Sequence, residues 1–166
     1  MLELVEKADH GSTIADTVTL SFELRQKSRQ RVRLDSGQTA ALLLPPGTVL
    51  ADGDRLRASD GTTIGVCAAI ETVSTARSDD PRHLARACYH LGNRHVRLEI
   101  GAGWVRYQPD HVLDDMVRAL GLAVAHESAR FEPERGAYHR HAQAHDDGAF
   151  AQESHHHHHA SHGHRH

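Results

Sequence analysis

The sequence predicts an α+β protein. A small all-β unit spans residues 1–71, a β-α-β-β-α-β unit spans residues 72–138, and a disordered, histidine-rich tail spans residues 139–166. Three observations carry this. In the first part, apolar residues alternate with polar ones between closely spaced turns, the pattern of short strands. From residue 79 onward, two stretches switch to helical spacing, each opened by aspartate beside proline and closed near a glycine. After Tyr138 the apolar pattern stops and histidine accumulates: eleven of the 17 histidines lie between His139 and His166.

In the all-β unit, Val18, Leu20, Phe22 and Leu24 alternate with polar partners and predict one strand. Arg31 to Leu34, then Asp35-Ser36-Gly37, then Thr39 to Leu44 predict a hairpin. Turns follow at Pro45-Pro46-Gly47, Asp52-Gly53-Asp54 and Asp60-Gly61, with strands expected at Val49-Leu50 and over Ile64 to Ile70. Short strands at such spacing suggest a small sandwich or barrel. Arg25, Lys27, Arg29, Arg31 and Arg33 form a basic run on alternate positions, the pattern of a solvated strand face.

The second unit opens with a strand over Thr72 to Ala76. Asp79-Asp80-Pro81 places a carboxylate at a helix start and proline at its first position, both favoured there. Leu84, Ala87, Cys88 and Leu91 then share one helical face, and Gly92 is expected to close the helix. Val96 to Ile100 predicts a strand, Gly101-Ala102-Gly103 a turn, and Trp104 to Tyr107 a return strand. A second helix runs from Pro109 with Val112, Leu113, Met116, Val117 and Leu120 apolar, ends at Gly121, and is followed by a strand over Leu122 to His126. This order is the split βαβ, or ferredoxin-like, arrangement. So small a unit invites docking or dimerisation.

Composition excludes several functions. A formal net charge of −3 offers no broad basic surface and so no electrostatic case for nucleic acid. No apolar run approaches the ~20 residues needed to cross a bilayer, and Met1-Leu-Glu-Leu-Val-Glu-Lys7 lacks a basic-then-apolar leader. A cytoplasmic protein without membrane contact is therefore expected. Cys67 and Cys88 make neither a disulfide framework nor a CxxC site, and Cys88 reads as core. With no glycine-rich phosphate loop, GxSxG or HExxH, the chain does not read as an enzyme. Cys88 and His90, two apart on one helix, point in different directions.

The remaining chemistry is imidazole. His155, His156, His157, His158, His159, His162, His164 and His166 crowd the end of the chain. Neutral imidazole suits Ni, Cu and Zn, and a run of histidines binds through many interchangeable combinations. Five consecutive histidines continuing into an alternating pattern, with His139, His141 and His145 upstream, argue for a natural metal-binding segment over an appended tag. A flexible stretch of this length has an r.m.s. span of roughly 30 Å, enough to return to its own folded unit. His95 lies between a helix and a strand, where a side chain can face outward. One imidazole cannot hold a metal, but two brought together across a two-fold axis can. His111 with Asp114 and Asp115 sits at the spacing that sets a carboxylate beside an imidazole, an arrangement that orients a metal-bound histidine. The same acidic residues also serve the helix dipole.

A resemblance follows from longer runs. Asp79-Asp80-Pro81, Leu84-Ala-Arg-Ala-Cys-Tyr-His-Leu-Gly-Asn-Arg-His-Val96, Arg106-Tyr107, Asp110-His-Val-Leu-Asp-Asp-Met116, Leu120-Gly-Leu122 and Phe131-Glu-Pro-Glu-Arg-Gly-Ala-Tyr138 closely resemble the UreE family of urease accessory proteins. Lys27-Ser28-Arg29 and Leu42-Leu-Leu-Pro45 extend the likeness into the first half. The resemblance implies a cytoplasmic nickel metallochaperone. It implies a homodimer whose β domain is similar to a chaperone peptide-binding fold and whose ferredoxin-like domain holds one Ni(II) between the two copies of His95. It further implies delivery to the urease apoprotein complex together with the UreG GTPase and other urease accessory proteins. His111 matches a secondary metal site in some members, which carry another histidine where this chain has Pro109. Zn(II) and Cu(II) compete by ligand type, Cu(II) the more strongly by affinity order. The alternatives left open are a transition-metal store or buffer and a scaffold chaperone in which metal is incidental.

Overall fold

Among the described residues, the elements run β1 (Leu2–Ala8), β2 (Asp16–Leu20), α1 (Phe22–Arg25), β3 (Arg29–Arg33), β4 (Thr39–Leu43), β5 (Arg55–Ala58), β6 (Thr63–Ala68), β7 (Ile70–Arg77), α2 (Pro81–Gly92), β8 (Glu99–Gly101), β9 (Trp104–Tyr107), α3 (His111–Ala119) and β10 (Ala123–Arg130). The structure is a computed structural model, described over residues 1–136. The expectations for residues 139–166, including a disordered tail and its metal-binding histidines, lie outside the described residues. The chain divides into two units, Met1–Glu134 and Arg135–His166. Of the second, only Arg135 and Gly136 are described, and both are exposed.

The first six strands form one sheet in the order β2-β6-β5-β1-β4-β3, rather than a sandwich of two. β1 lies parallel to β4 and β2 parallel to β6; the other neighbours are antiparallel. Leu4, Val18, Leu42 and Leu56 are fully buried at the centre of its core. The β3–β4 hairpin forms as expected, with Arg33 opposite Thr39 across a turn that needs the positive φ of Gly37. β1 and β5 carried no clear signal. In β1 a register shift between Leu4 and Glu6 breaks the alternation, and β5 is four residues with two arginines.

Phe22 and Leu24, expected to continue a strand, lie in α1. Ser21 caps this turn, and the Phe22 amide donates to the Glu71 carboxylate at 2.8 Å, which takes the backbone out of the ladder. α1 also removes Arg25 from the basic run. Its side chain is only 1% exposed. The guanidinium donates to Leu50 O at 3.2 Å and to Phe131 O, pairs with Glu132, and lies 5.5 Å from the Phe22 ring centroid. Phe22 meets Phe131 edge-on at 5.2 Å. A buried cation with its partners thus ties α1 to the chain just after β10.

The last four strands form a second, wholly antiparallel sheet in the order β10-β7-β9-β8. Ala87 and Leu91 of α2 and Val117 of α3 pack with Ala76, Val105, Tyr107 and Leu122, so both helices bury their apolar faces in one core. β8 is shorter than expected because Val96 serves the end of α2, and β10 runs four residues beyond His126 to Arg130. In the β8–β9 hairpin a side chain at Gly101 would lie 2.1 Å from the Trp104 indole, so only glycine lets that ring close over the strand.

Arg25→Leu tests the tie. Glu132 is 36% exposed and regains water, but the Leu50 and Phe131 carbonyls lose a donor. A loss of about 2–6 kcal/mol is expected, at ~1–3 kcal/mol for each of the two carbonyls left unpaired. It should read out as a lower urea midpoint with an unchanged slope.

Candidate functional site

Asp80 caps α2, accepting from the Arg82 amide at 2.8 Å, with Pro81 following as expected. The helix ends at Gly92, as expected, but Gly92 is its last helical residue, and the left-handed residue of the turn that follows is His95, with φ 58°. The His95 amide donates to Gly92 O at 2.9 Å and the Val96 amide to Leu91 O at 3.2 Å. That pair of bonds is a Schellman turn, and the contact that accompanies it is present, since Val96 and Leu91 share the core.

α3 ends by the same construction. The Gly121 amide donates to Arg118 O at 2.9 Å and the Leu122 amide to Val117 O at 3.3 Å, with φ 95° at Gly121. The left-handed position is a glycine in one helix and a histidine in the other. Among the described residues His95 is the single non-glycine with positive φ. A non-glycine residue there costs on the order of 1–3 kcal/mol unless its surroundings enforce it. The turn displays an exposed imidazole at the tip of the helix.

His111 is the first residue of α3 and is exposed, after Asp110, whose carboxylate accepts from the Val112 and Leu113 amides at 2.8 and 3.1 Å. The expected carboxylate partners of His111 are engaged elsewhere. Asp115 bonds Arg118 at 3.0 Å. Asp114 is buried and turned away from solvent, accepting from Tyr107 Oη at 2.8 Å and meeting His126 Nε2 at 2.7 Å. Sequence reasoning missed His126. The available signal was its period-two relation to Val124, which puts both on the helix-facing side of β10.

The register explains why these groups meet. Ser74 lies opposite His126 on one side and opposite Tyr107 on the other, so the three form one row across β10, β7 and β9 beneath Asp114. Burial pushes the Asp114 carboxyl up, but hydrogen bonding from His126, Ser74 and Tyr107 outweighs it and holds the group below the usual carboxylate range. Ser74 Oγ is buried without a partner at full hydrogen-bond geometry, and acts on Asp114 as a nearby dipole. Burial, then the bond to Asp114, pushes the Tyr107 hydroxyl up, so it stays a donor. Cys88 is half-buried against the core, and burial raises its thiol, which disfavours the thiolate a metal would need.

Among the described residues, no three His, Cys, Asp or Glu side chains gather as a metal-binding group. His95 and His111 are single exposed imidazoles, and His155 to His166 lie outside the described residues. No described helix is long and apolar enough to cross a membrane.

Fold and site together define a two-sheet α+β protein that displays isolated imidazoles at helix ends. Its family follows from comparison with known proteins. Residues 2–69 match the model of the UreE urease accessory protein N-terminal domain, and residues 71–166 match that of its C-terminal domain. The chain is 57% identical to the urease accessory protein UreE of Alkalilimnicola ehrlichii over 138 residues, 83% of this chain and 85% of that one. It is 55% identical to those of Teredinibacter turnerae, covering 84% of this chain and 92% of the relative, and Pseudomonas putida, covering 83% and 86%. The chain belongs to the UreE family of urease accessory proteins, which places it in urease maturation.

Two outcomes are expected from this geometry. His95→Gly should relieve the left-handed residue and raise stability by about 0.5–1 kcal/mol after the entropy cost of glycine, a rise of a few degrees in Tm. For Asp114, whose folded pKa is depressed, the stabilisation is complete above its unfolded value near 3.8 and is lost as pH falls through the folded value. Acid unfolding of Asp114→Asn should lack that part of the pH dependence, measured as unfolding free energy between pH 5 and 2.

Proposed function

We propose that this protein is a nickel metallochaperone of urease maturation, not itself an enzyme, in which His95 from two copies holds one Ni(II) across a two-fold axis. The observation that carries this reading is His95 itself, exposed on a left-handed turn where glycine would be less strained. An isologous interface sets the same residue opposite itself, so a side chain at the tip of a helix meets its own copy. Two imidazoles leave positions open on an ion that accepts tetragonal N/O coordination. Imidazoles of residues 139–166 then join and leave one at a time, and the ion passes to a partner without release into water. Zn(II) and Cu(II) compete for the same ligands.

The division of labour follows the chain. Residues 72–138, a ferredoxin-like unit, dimerise and hold the metal. Residues 1–71 contact protein partners, namely the urease apoprotein complex, the UreG GTPase and other accessory proteins. His111, with Pro109 before it and no free carboxylate beside it, contributes at most one ligand to a secondary position. Metal ligands must be deprotonated, so affinity falls as pH drops through the imidazole range near ~6.5.

Nickel titration of the chain ended after Tyr138 tests the shared ion. Half a nickel per chain is expected, with a dimer in sedimentation, and His95→Ala should remove the nickel. Binding undiminished by His95→Ala, or a strictly monomeric nickel-loaded protein, would overturn the shared site and leave a metal store.

A further inference from the structure

The basic run expected on alternate positions survives in part. Arg25 is buried and Lys27 pairs with Glu23 at 2.7 Å, but Arg29, Arg31 and Arg33 stand on β3, all exposed and on one face of the sheet. None of these three forms an ion pair among the described residues. Opposite them on β4 are Leu43, Ala41 and Thr39, which offer no carboxylate. Glu3, opposite Ala41 on β1, lies two strands away, about 10 Å. Asp35, next along the chain on the arginine face, accepts from the Thr17 and Thr19 hydroxyls at 2.5 and 3.0 Å.

The backbone is open at the same residues. β3 ends its sheet and is paired only with β4. In that hairpin the Leu34 amide donates to Gln38 O at 2.8 Å and the Leu44 amide to Ser28 O at 2.9 Å, so the even-numbered residues of β3 face β4. Antiparallel ladders alternate, and the N–H and C=O groups of Arg29, Arg31 and Arg33 therefore point out from the sheet edge. The row closes at Asp35, whose amide donates to Thr17 O at 2.8 Å. Between Arg29 and Arg33 no described strand covers it. Each arginine thus presents a backbone donor and acceptor along the edge with a cation beside them.

We propose that β3 is a docking edge for an extended acidic segment of a protein partner, which adds as a further strand and sets carboxylates at alternate positions beside Arg29, Arg31 and Arg33. This rests on the reading that residues 1–71 contact protein partners, and gives that contact a place and a chemistry. Main-chain bonds to an open edge supply affinity whatever the sequence, and side chains at every second residue supply selection. Opposite charges across strands favour the pairing and like charges oppose it, so a basic strand, including a second copy of β3, is rejected. Arginine holds a carboxylate through paired N–H groups. Spacing decides between strand and helix: residues two apart on a strand stand ~6.6 Å apart, the repeat of same-side carboxylates in an extended partner and not in a helical one.

The test uses the full chain, with backbone amide exchange read by NMR, and three end-capped peptides. One alternates glutamate with threonine, one has the same composition with its glutamates adjacent, and one alternates lysine with threonine. The alternating glutamate peptide should slow exchange at Arg29, Arg31 and Arg33 at least tenfold and leave Gln30 and Val32, already turned to β4, unchanged. Its affinity should fall at least tenfold in the variant R29E/R31E/R33E, which should take the lysine peptide instead. Absence of binding by the alternating glutamate peptide would leave the arginines as guards of a bare edge and overturn the proposal. Equal binding of the peptide with adjacent glutamates, without slowed exchange, would mark a non-specific basic patch and overturn it too. The urease apoprotein complex serves as a second probe. Protection elsewhere in residues 1–71 but not at β3 would sink the docking edge and leave the partner reading intact, whereas protection nowhere in residues 1–71 would remove both.

Discussion

A carboxylate beneath a helix must be met by donors or be protonated, and Asp114 is where that constraint falls in the second sheet. Its donors, Tyr107 from β9 and His126 from β10, come from one register position, with the Ser74 hydroxyl between them as a nearby dipole. A slip of one residue in either pairing would send these side chains to the other face. The same contact sets the rotation of α3. With Asp114 and Val117 directed inward one turn apart, His111, Val112 and Asp115 face outward. At the far end of α3, a side chain on Gly121 would meet the His83 ring at 3.0 Å, so the close of α3 is fitted against α2.

The two helices stop by the same pair of hydrogen bonds, which makes their difference informative. At Gly121 the left-handed backbone carries no side-chain penalty, and at His95 it does. The turn at His95 is held by the core contact between Leu91 and Val96, so packing keeps the conformation in place although local preference opposes it. The same backbone turn thus carries an exposed imidazole at one helix end and a glycine without strain at the other. Arg25 shows the complementary case. It leaves the expected basic stripe to satisfy buried carbonyls.

Much of this was legible beforehand. The Asp80-Pro81 start, the apolar faces of α2 and α3, the order of the second sheet's elements and the β3–β4 hairpin follow from periodicity and local turn chemistry. Histidine at position 95 was also legible as a candidate, from its place between a helix and a strand. The end of α2 at Gly92 was legible too, but the left-handed position fell at His95, because the turn was settled by which apolar side chain, Val96, could reach Leu91. The strand expected through Phe22 and Leu24 failed for a related reason. Phe131, over a hundred residues away, is the partner that holds Phe22 in α1.

By itself, the sequence determined what is local: the apolar faces of α2 and α3, the β3–β4 hairpin, and where imidazole accumulates. Tertiary structure alone decided that Asp114 serves His126 and not His111, because a spacing of three or four residues only permits a contact, while the strand register across β10, β7 and β9 supplies stronger donors from the opposite side. A buried charge takes the partners that the fold brings to it, and those come from residues that no window along the chain holds together.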